Sequence, residues 1–217
     1  MKKKKLKNAL AASGMLLLFA VWTVLIKAVD VKAIGPLGST VGFAELNGFV
    51  HDLTGVNMAL YSLTDWMGLI PIAVMLGFAL FGIAQLIARK SLKLVDRSII
   101  ALGIFYAMLA AVYVLFEIFP INYRPVLIYG HLEASYPSST TLLVMCVIPT
   151  FAMQVRERVK NSTLNRCISF AAEAFCAFTV VCRILSGVHW ISDIVGALLL
   201  SCGLVKLYQS LCLTNKK

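Results

Sequence analysis

Charge is scarce in this chain: only 14% of its 217 residues are Asp, Glu, Lys or Arg, where soluble domains carry roughly a quarter. With 60% hydrophobic residues and a strongly positive mean hydropathy, too few polar groups remain to cover a water-facing surface, which excludes a soluble domain. Acidic residues are scarcer still, ten against twenty Lys and Arg, for a net charge of +10. That excess does not indicate nucleic acid, because the basic residues fall in short clusters between apolar runs and form no continuous face. Six cysteines (Cys146, Cys167, Cys176, Cys182, Cys202, Cys212) show no CxxC and no pairing with histidine. They read as small core hydrophobes, with neither a disulfide framework nor a metal site implied. There is no internal repeat, low-complexity tract or linker. The chain 1–217 therefore reads as a single all-α domain, a polytopic membrane helical bundle.

What is present is a series of apolar runs about long enough to cross a hydrocarbon core of roughly 30 Å. Six spans are expected at about 9–29, 66–88, 98–119, 138–154, 167–186 and 190–208. The first follows five lysines and competes with a cleaved signal peptide, but it exceeds the usual 7–15 apolar residues and no A-x-A site follows. Between the first two spans, Val41 to Leu63 sets Phe43, Leu46, Phe49, Val50, Leu53, Val56, Leu60 and Leu63 at helical spacing among Glu45, Asn47, His51 and Asp52. This predicts one or two amphipathic helices at the interface, with His51 solvated on the polar face. Lys and Arg concentrate in the N-terminus, 89–97, 155–166 and the C-terminal tail, and six spans put all four on one side. The positive-inside rule makes that side cytoplasmic, with both termini, and makes 30–64, 120–137 and 182–193 exterior. Glu173 is expected near the cytoplasmic third of the fifth span, satisfied by pairing or snorkelling.

Two exterior stretches carry chemistry. Cys182 to Gly196 reads CRILSGVHWISDIVG. If the residues around His189 are helical, His189 and Asp193 lie four apart on one face, so that the carboxylate bonds one ring nitrogen and fixes the tautomer. Arg183 adds a permanently charged fork suited to phosphate oxygens. The plainer reading of the same residues is a polar cap at the interface, with Trp190 as an anchor. The loop before the fourth span holds Arg124-Pro125, His131, Glu133 and Tyr136-Pro137-Ser138-Ser139-Thr140. A Pro-Ser-Ser-Thr run opening a helix offers free backbone N–H groups to an anion, or simply caps the helix.

In order and spacing, these stretches resemble the phosphatidic acid phosphatase type 2 superfamily, whose pattern is Lys-x6-Arg-Pro, Pro-Ser-Gly/Ser-His and Ser-Arg-x5-His-x3-Asp on a six-span bundle. The third motif is matched at Arg183, His189 and Asp193 and includes Gly187. The resemblance implies that His189 is a nucleophile taking a phosphoryl group and that Asp193 orients it. Arg124, Arg183, Ser138, Ser139 and Thr140 would hold phosphate oxygens, with no metal or organic cofactor. Its partners would be the lipid bilayer and a phosphorylated lipid in it. The sequence departs from the pattern in three places. Glu117 stands where the family has lysine, Thr140 where it has the histidine that protonates the leaving group, and Cys182 where it has serine. Loss of a general acid typically costs 10²–10⁴-fold. Substitute acids are available in His131, Glu133 and Glu117, all near the same loop. The implied function is a lipid phosphate or diphosphate phosphatase at the exterior face, of the undecaprenyl-diphosphate type. The alternative is a catalytically impaired relative that binds a phosphorylated lipid or a membrane partner; a transporter fits less well, because the polar groups cluster at one face.

Overall fold

A computed structural model describes residues 2–212, and they fold into an all-α bundle. The helices are α1 (Lys2–Ala28), α2 (Ala44–Thr54), α3 (Met58–Met67), α4 (Leu69–Arg89), α5 (Arg97–Ile118), α6 (Ser139–Arg158), α7 (Ser162–Leu185) and α8 (Ile191–Cys212). Six helical runs are long and apolar enough to cross a membrane, with α3 and α4 counting as one run over Met58–Arg89. Large apolar side chains point outward, among them Leu17 and Val24 of α1, Leu76, Leu80 and Ile87 of α4 and Phe170 of α7. Water would not tolerate so continuous an apolar exterior; lipid matches it. Lys216 and Lys217 of the C-terminal tail, counted among the cytoplasmic basic residues, lie outside the described residues.

The core sits on α6 and α8. Leu142, Cys146 and Val147 of α6 meet Ala197, Leu200 and Leu204 of α8, and Leu102, Phe105 and Leu109 of α5 close the cluster. Helix α1 runs antiparallel along α8. Leu16 packs beside Gly203, and the indole of Trp22 donates to the Ser192 carbonyl at 3.0 Å. Gly196 is required in that packing, because a Cβ there would meet the Tyr136 ring at 2.3 Å.

Two expectations are corrected. The amphipathic stretch after α1 holds α2 as a separate helix, but its second half, α3, is the beginning of the second span. Asn57 caps α3 by accepting from the Leu60 N–H at 3.0 Å, and Tyr61 and Thr64 turn inward while Asp65 stays exposed. The alternation of polar and apolar residues that suggested an interfacial helix is the two-faced start of a span lining the bundle. His51 is not solvated on a polar face; it is half-buried, packs its ring 5.5 Å from that of Trp190, and its Nδ1 has no hydrogen-bond partner.

The polar groups separate to the two ends. At one, Asp96 gathers Arg89 at 2.8 Å, Arg158 at 3.8 Å and the Gln85 amide at 2.8 Å. Arg89 foremost, then Gln85, holds the Asp96 carboxyl below its ordinary range. At the other end lie residues 30–57, the 120–138 loop and the turn between α7 and α8.

Candidate active site

Between α7 and α8 the chain turns through Gly187, which has φ +63°, and a Cβ there would lie 1.8 Å from the Gly55 carbonyl oxygen. Both the left-handed conformation and the close approach require glycine. His189 stands in this turn, ahead of α8, so the helical i,i+4 relation expected for it is replaced by a capping arrangement. Asp193, in the first turn of α8, reaches back to accept the Trp190 backbone N–H at 3.0 Å, which is half of a capping box. The same carboxylate oxygen, Oδ2, lies 3.6 Å from His189 Nδ1, an ion-pair distance and too long for a hydrogen bond, and Nδ1 has no other partner. Asn122 fixes the second carboxylate oxygen by donating to Oδ1 at 3.1 Å.

The other face of the imidazole carries the positive charges. Nε2 lies 3.1 Å from Arg124 Nη1 and 3.4 Å from Arg183 Nη2. Guanidinium groups only donate, so Nε2 is the unprotonated nitrogen and the proton belongs on Nδ1, toward Asp193. Arg183 is fully buried; it donates to Thr64 Oγ1 at 3.0 Å, and its Nε is unpartnered. Arg124 lies 3.0 Å through Nε from Glu133 Oε2, a contact that pairs charge without aligning the N–H. The Tyr61 ring lies beneath both guanidinium groups, 5.1 Å from Arg183 and 5.8 Å from Arg124. Burial first, then the charges of Arg124 and Arg183, push the imidazole well below its ordinary value of 6.5, with a smaller opposing effect from the Ser135 backbone. The ring is therefore neutral at neutral pH.

A cavity of about 270 Å³ opens over this group, lined by His189, Arg124, Glu117, Glu133, Ser139 and Tyr136 among others. The start of α6 borders it. Ser138 is the N-cap residue, yet no side chain caps the helix; the Ser138 and Thr141 hydroxyls bond each other at 3.0 Å, so the first-turn N–H groups stay free of side-chain caps. That favours the anion-site reading of Pro137 to Thr140 over plain capping.

The expected site residues thus divide. His189, Asp193, Arg124 and Arg183 converge, and Ser139, Glu117 and Glu133 share the cavity with His189. Ser138 lies at the helix start with its hydroxyl turned to Thr141. Thr140 is buried off the cavity, its methyl beside Gly68, and His131 is exposed at the tip of a hairpin-like loop where Ile128 and His131 exchange backbone bonds. Sequence reasoning missed Tyr61, Thr64 and Asn122, which touch the charged groups. Nothing local distinguishes them, because α3 is brought to the site by packing against α7.

No protein-family model matches the chain, and no curated protein does. Among solved structures, the fold is similar to that of a transmembrane PAP2 type phosphatidylglycerolphosphate phosphatase from Bacillus subtilis. The TM-score is 0.70 with 13% sequence identity, over 95% of this chain and 98% of that one. At that identity, what the two share is the fold.

Proposed function

We propose that this chain is a membrane lipid phosphate phosphatase that works through a phosphohistidine at His189. One observation carries the reading: the unprotonated Nε2 of a neutral, buried histidine meets two arginines beside a cavity that His189 and Arg124 line, with a carboxylate behind Nδ1. A buried guanidinium without an ion pair, such as Arg183, is costly, and a phosphate settled between it and Arg124 would offset that cost while bringing phosphorus to Nε2. The lone pair attacks phosphorus, the N–P bond forms, and the P–O bond to the leaving group breaks with its electrons going to oxygen. Asp193 stabilises the imidazolium that results. Water then attacks phosphorus, the N–P bond breaks, and phosphate and neutral His189 are regenerated. The arginines and the α6 N-terminus carry the transferring oxygens throughout. A phosphatase as a fold neighbour supports the same class of chemistry.

The test is phosphate release from several lipid phosphates by the purified protein. Wild type is expected to turn over and His189→Ala to be inactive and to form no acid-labile phosphoenzyme. Full activity in His189→Ala on every lipid would reject the mechanism, and absence of turnover in wild type, with lipid phosphate still bound, would favour the impaired relative.

The leaving group points to the substrate. Thr140 supplies no proton, and a phosphomonoester must expel a basic alkoxide, whereas a lipid diphosphate expels phosphate, whose second pKa is about 6. We therefore assign preference to a polyprenyl diphosphate over phosphatidic acid. Glu117 and Glu133, on the cavity wall, are the rival proton donors. In the wild type, kcat/KM is expected to be higher for the diphosphate than for the monoester; a wild type faster on the monoester would remove the argument. The site is assigned to the extracytoplasmic face because of the lysine and arginine bias. A cysteine at Glu133 should label in intact cells and one at Ser91 should not, and the reverse pattern would invert the arrangement.

A further inference from the structure

At the end of the bundle opposite His189, Lys4 of α1, Arg156 of α6 and Lys206 of α8 converge on a cavity of about 460 Å³. Other cations at this end, Arg89 and Arg158, are paired with Asp96. These three are not: among the described residues none of them makes an ion pair. Arg156 donates to the Ser169 hydroxyl at 2.7 Å, and Lys206 reaches only the Gln209 amide oxygen at 3.5 Å. Among the described residues Glu157 is the one carboxylate on the cavity wall, against three cations.

The cavity is not isolated. A groove of about 630 Å³ between α6 and α7 runs into it, sharing Met153, Arg156 and Gln209. Most of its wall residues are small or apolar, including Ala172, Ala177 and Val180, and Pro149 in α6 withholds the N–H that a helix would give to the Met145 carbonyl. Glu173 lies on the same wall, midway along α7, exposed and, among the described residues, without a hydrogen bond or ion pair, rather than nearer the end where pairing or snorkelling was expected. A basic cavity at the end of the bundle continuing into a mostly apolar groove along it matches the charged head and apolar tail of one amphiphile.

We propose that this is a binding site for a single anionic phospholipid of the leaflet at that end. Its phosphate lies among Lys4, Arg156 and Lys206, and one acyl chain lies in the α6–α7 groove. The site is independent of the chemistry at His189. It uses the same ligand chemistry, a phosphate, but free phosphate would fill only the basic half.

Native mass spectrometry of the full-length protein, titrated with phosphatidylglycerol or with phosphatidylcholine of the same acyl chains, tests this. One phosphatidylglycerol should be retained at least about tenfold more tightly than phosphatidylcholine. Lys4→Gln combined with Arg156→Gln and Lys206→Gln should weaken it on the order of 100-fold. Ala172→Leu, which narrows the groove, should weaken phosphatidylglycerol while leaving the melting temperature unchanged. A control that removes as much charge at the same end, Lys90→Gln with Lys93→Gln and Lys160→Gln, should change nothing, and millimolar inorganic phosphate should not displace the lipid. Equal retention of the two lipids, equal loss in the control, or displacement by inorganic phosphate would overturn the proposal.

Discussion

The two ends of the bundle use the same residue types in opposite ways. Around Asp96 the charges are partly exposed and share partners: Arg89 and Arg158 both face one carboxylate, and the side chains are 31–41% accessible. Around His189 the cations are buried and unevenly paired: Arg124 meets Glu133 at 3.0 Å, while Arg183 has no such partner among the described residues. Arg183 is wholly enclosed with a threonine, a histidine and an aromatic face for company and, among the described residues, makes no ion pair. The first arrangement holds a loop in place and asks nothing of a ligand. On the proposed reading, the second gains from an anion beside Arg183, as a preorganised phosphate site would.

The contrast is tested most severely at Asp193. Asp193→Asn should lower kcat on the order of 10⁴-fold, because Nδ1 loses the charge that stabilises the imidazolium. Single-turnover kinetics with wild-type lipid binding would assign the loss to chemistry. Arg183→Met should reduce kcat/KM on the order of 10²–10³-fold. It should leave the melting temperature of the empty protein unchanged or raised, since an unpaired buried charge is exchanged for an apolar side chain. A marked fall in melting temperature would show that Arg183 is structural.

Acidity gives a smaller effect with a defined sign. Because the folded imidazole titrates well below 6.5, the unfolded chain binds a proton first as pH falls. The contribution of neutral His189 to stability is therefore complete above 6.5 and is lost as pH falls from 6.5 through the folded value. Thermal melts between pH 7.5 and 5 should show this slope, and His189→Gln should reduce it; kcat/KM should stay level below pH 6.5, where an ordinary histidine would already have lost activity. The smallest effect belongs to the other end. Arg158→Ala should change stability by about 1 kcal/mol or less and leave phosphate release unaltered, since its pair with Asp96 is long and partly exposed.

The sequence by itself determined the number and order of the spans, because crossing a hydrocarbon core demands an uninterrupted apolar run whose length is readable residue by residue. It also brought Arg183, His189 and Asp193 into view, since their spacing within eleven residues is a local property. Only the tertiary structure decided which of the loop residues join them. Arg124 and Glu117 reach the cavity while His131 and Thr140 do not, and Tyr61, Thr64 and Asn122 touch the charges from elements 60 to 130 positions away. It also decided that His189 lies in a glycine turn and meets Asp193 through a helix cap. Apolar patterning fixes how deep a residue sits in the membrane, but the side a helix turns toward its neighbours depends on the fit of every other helix, and no local stretch of sequence contains that fit.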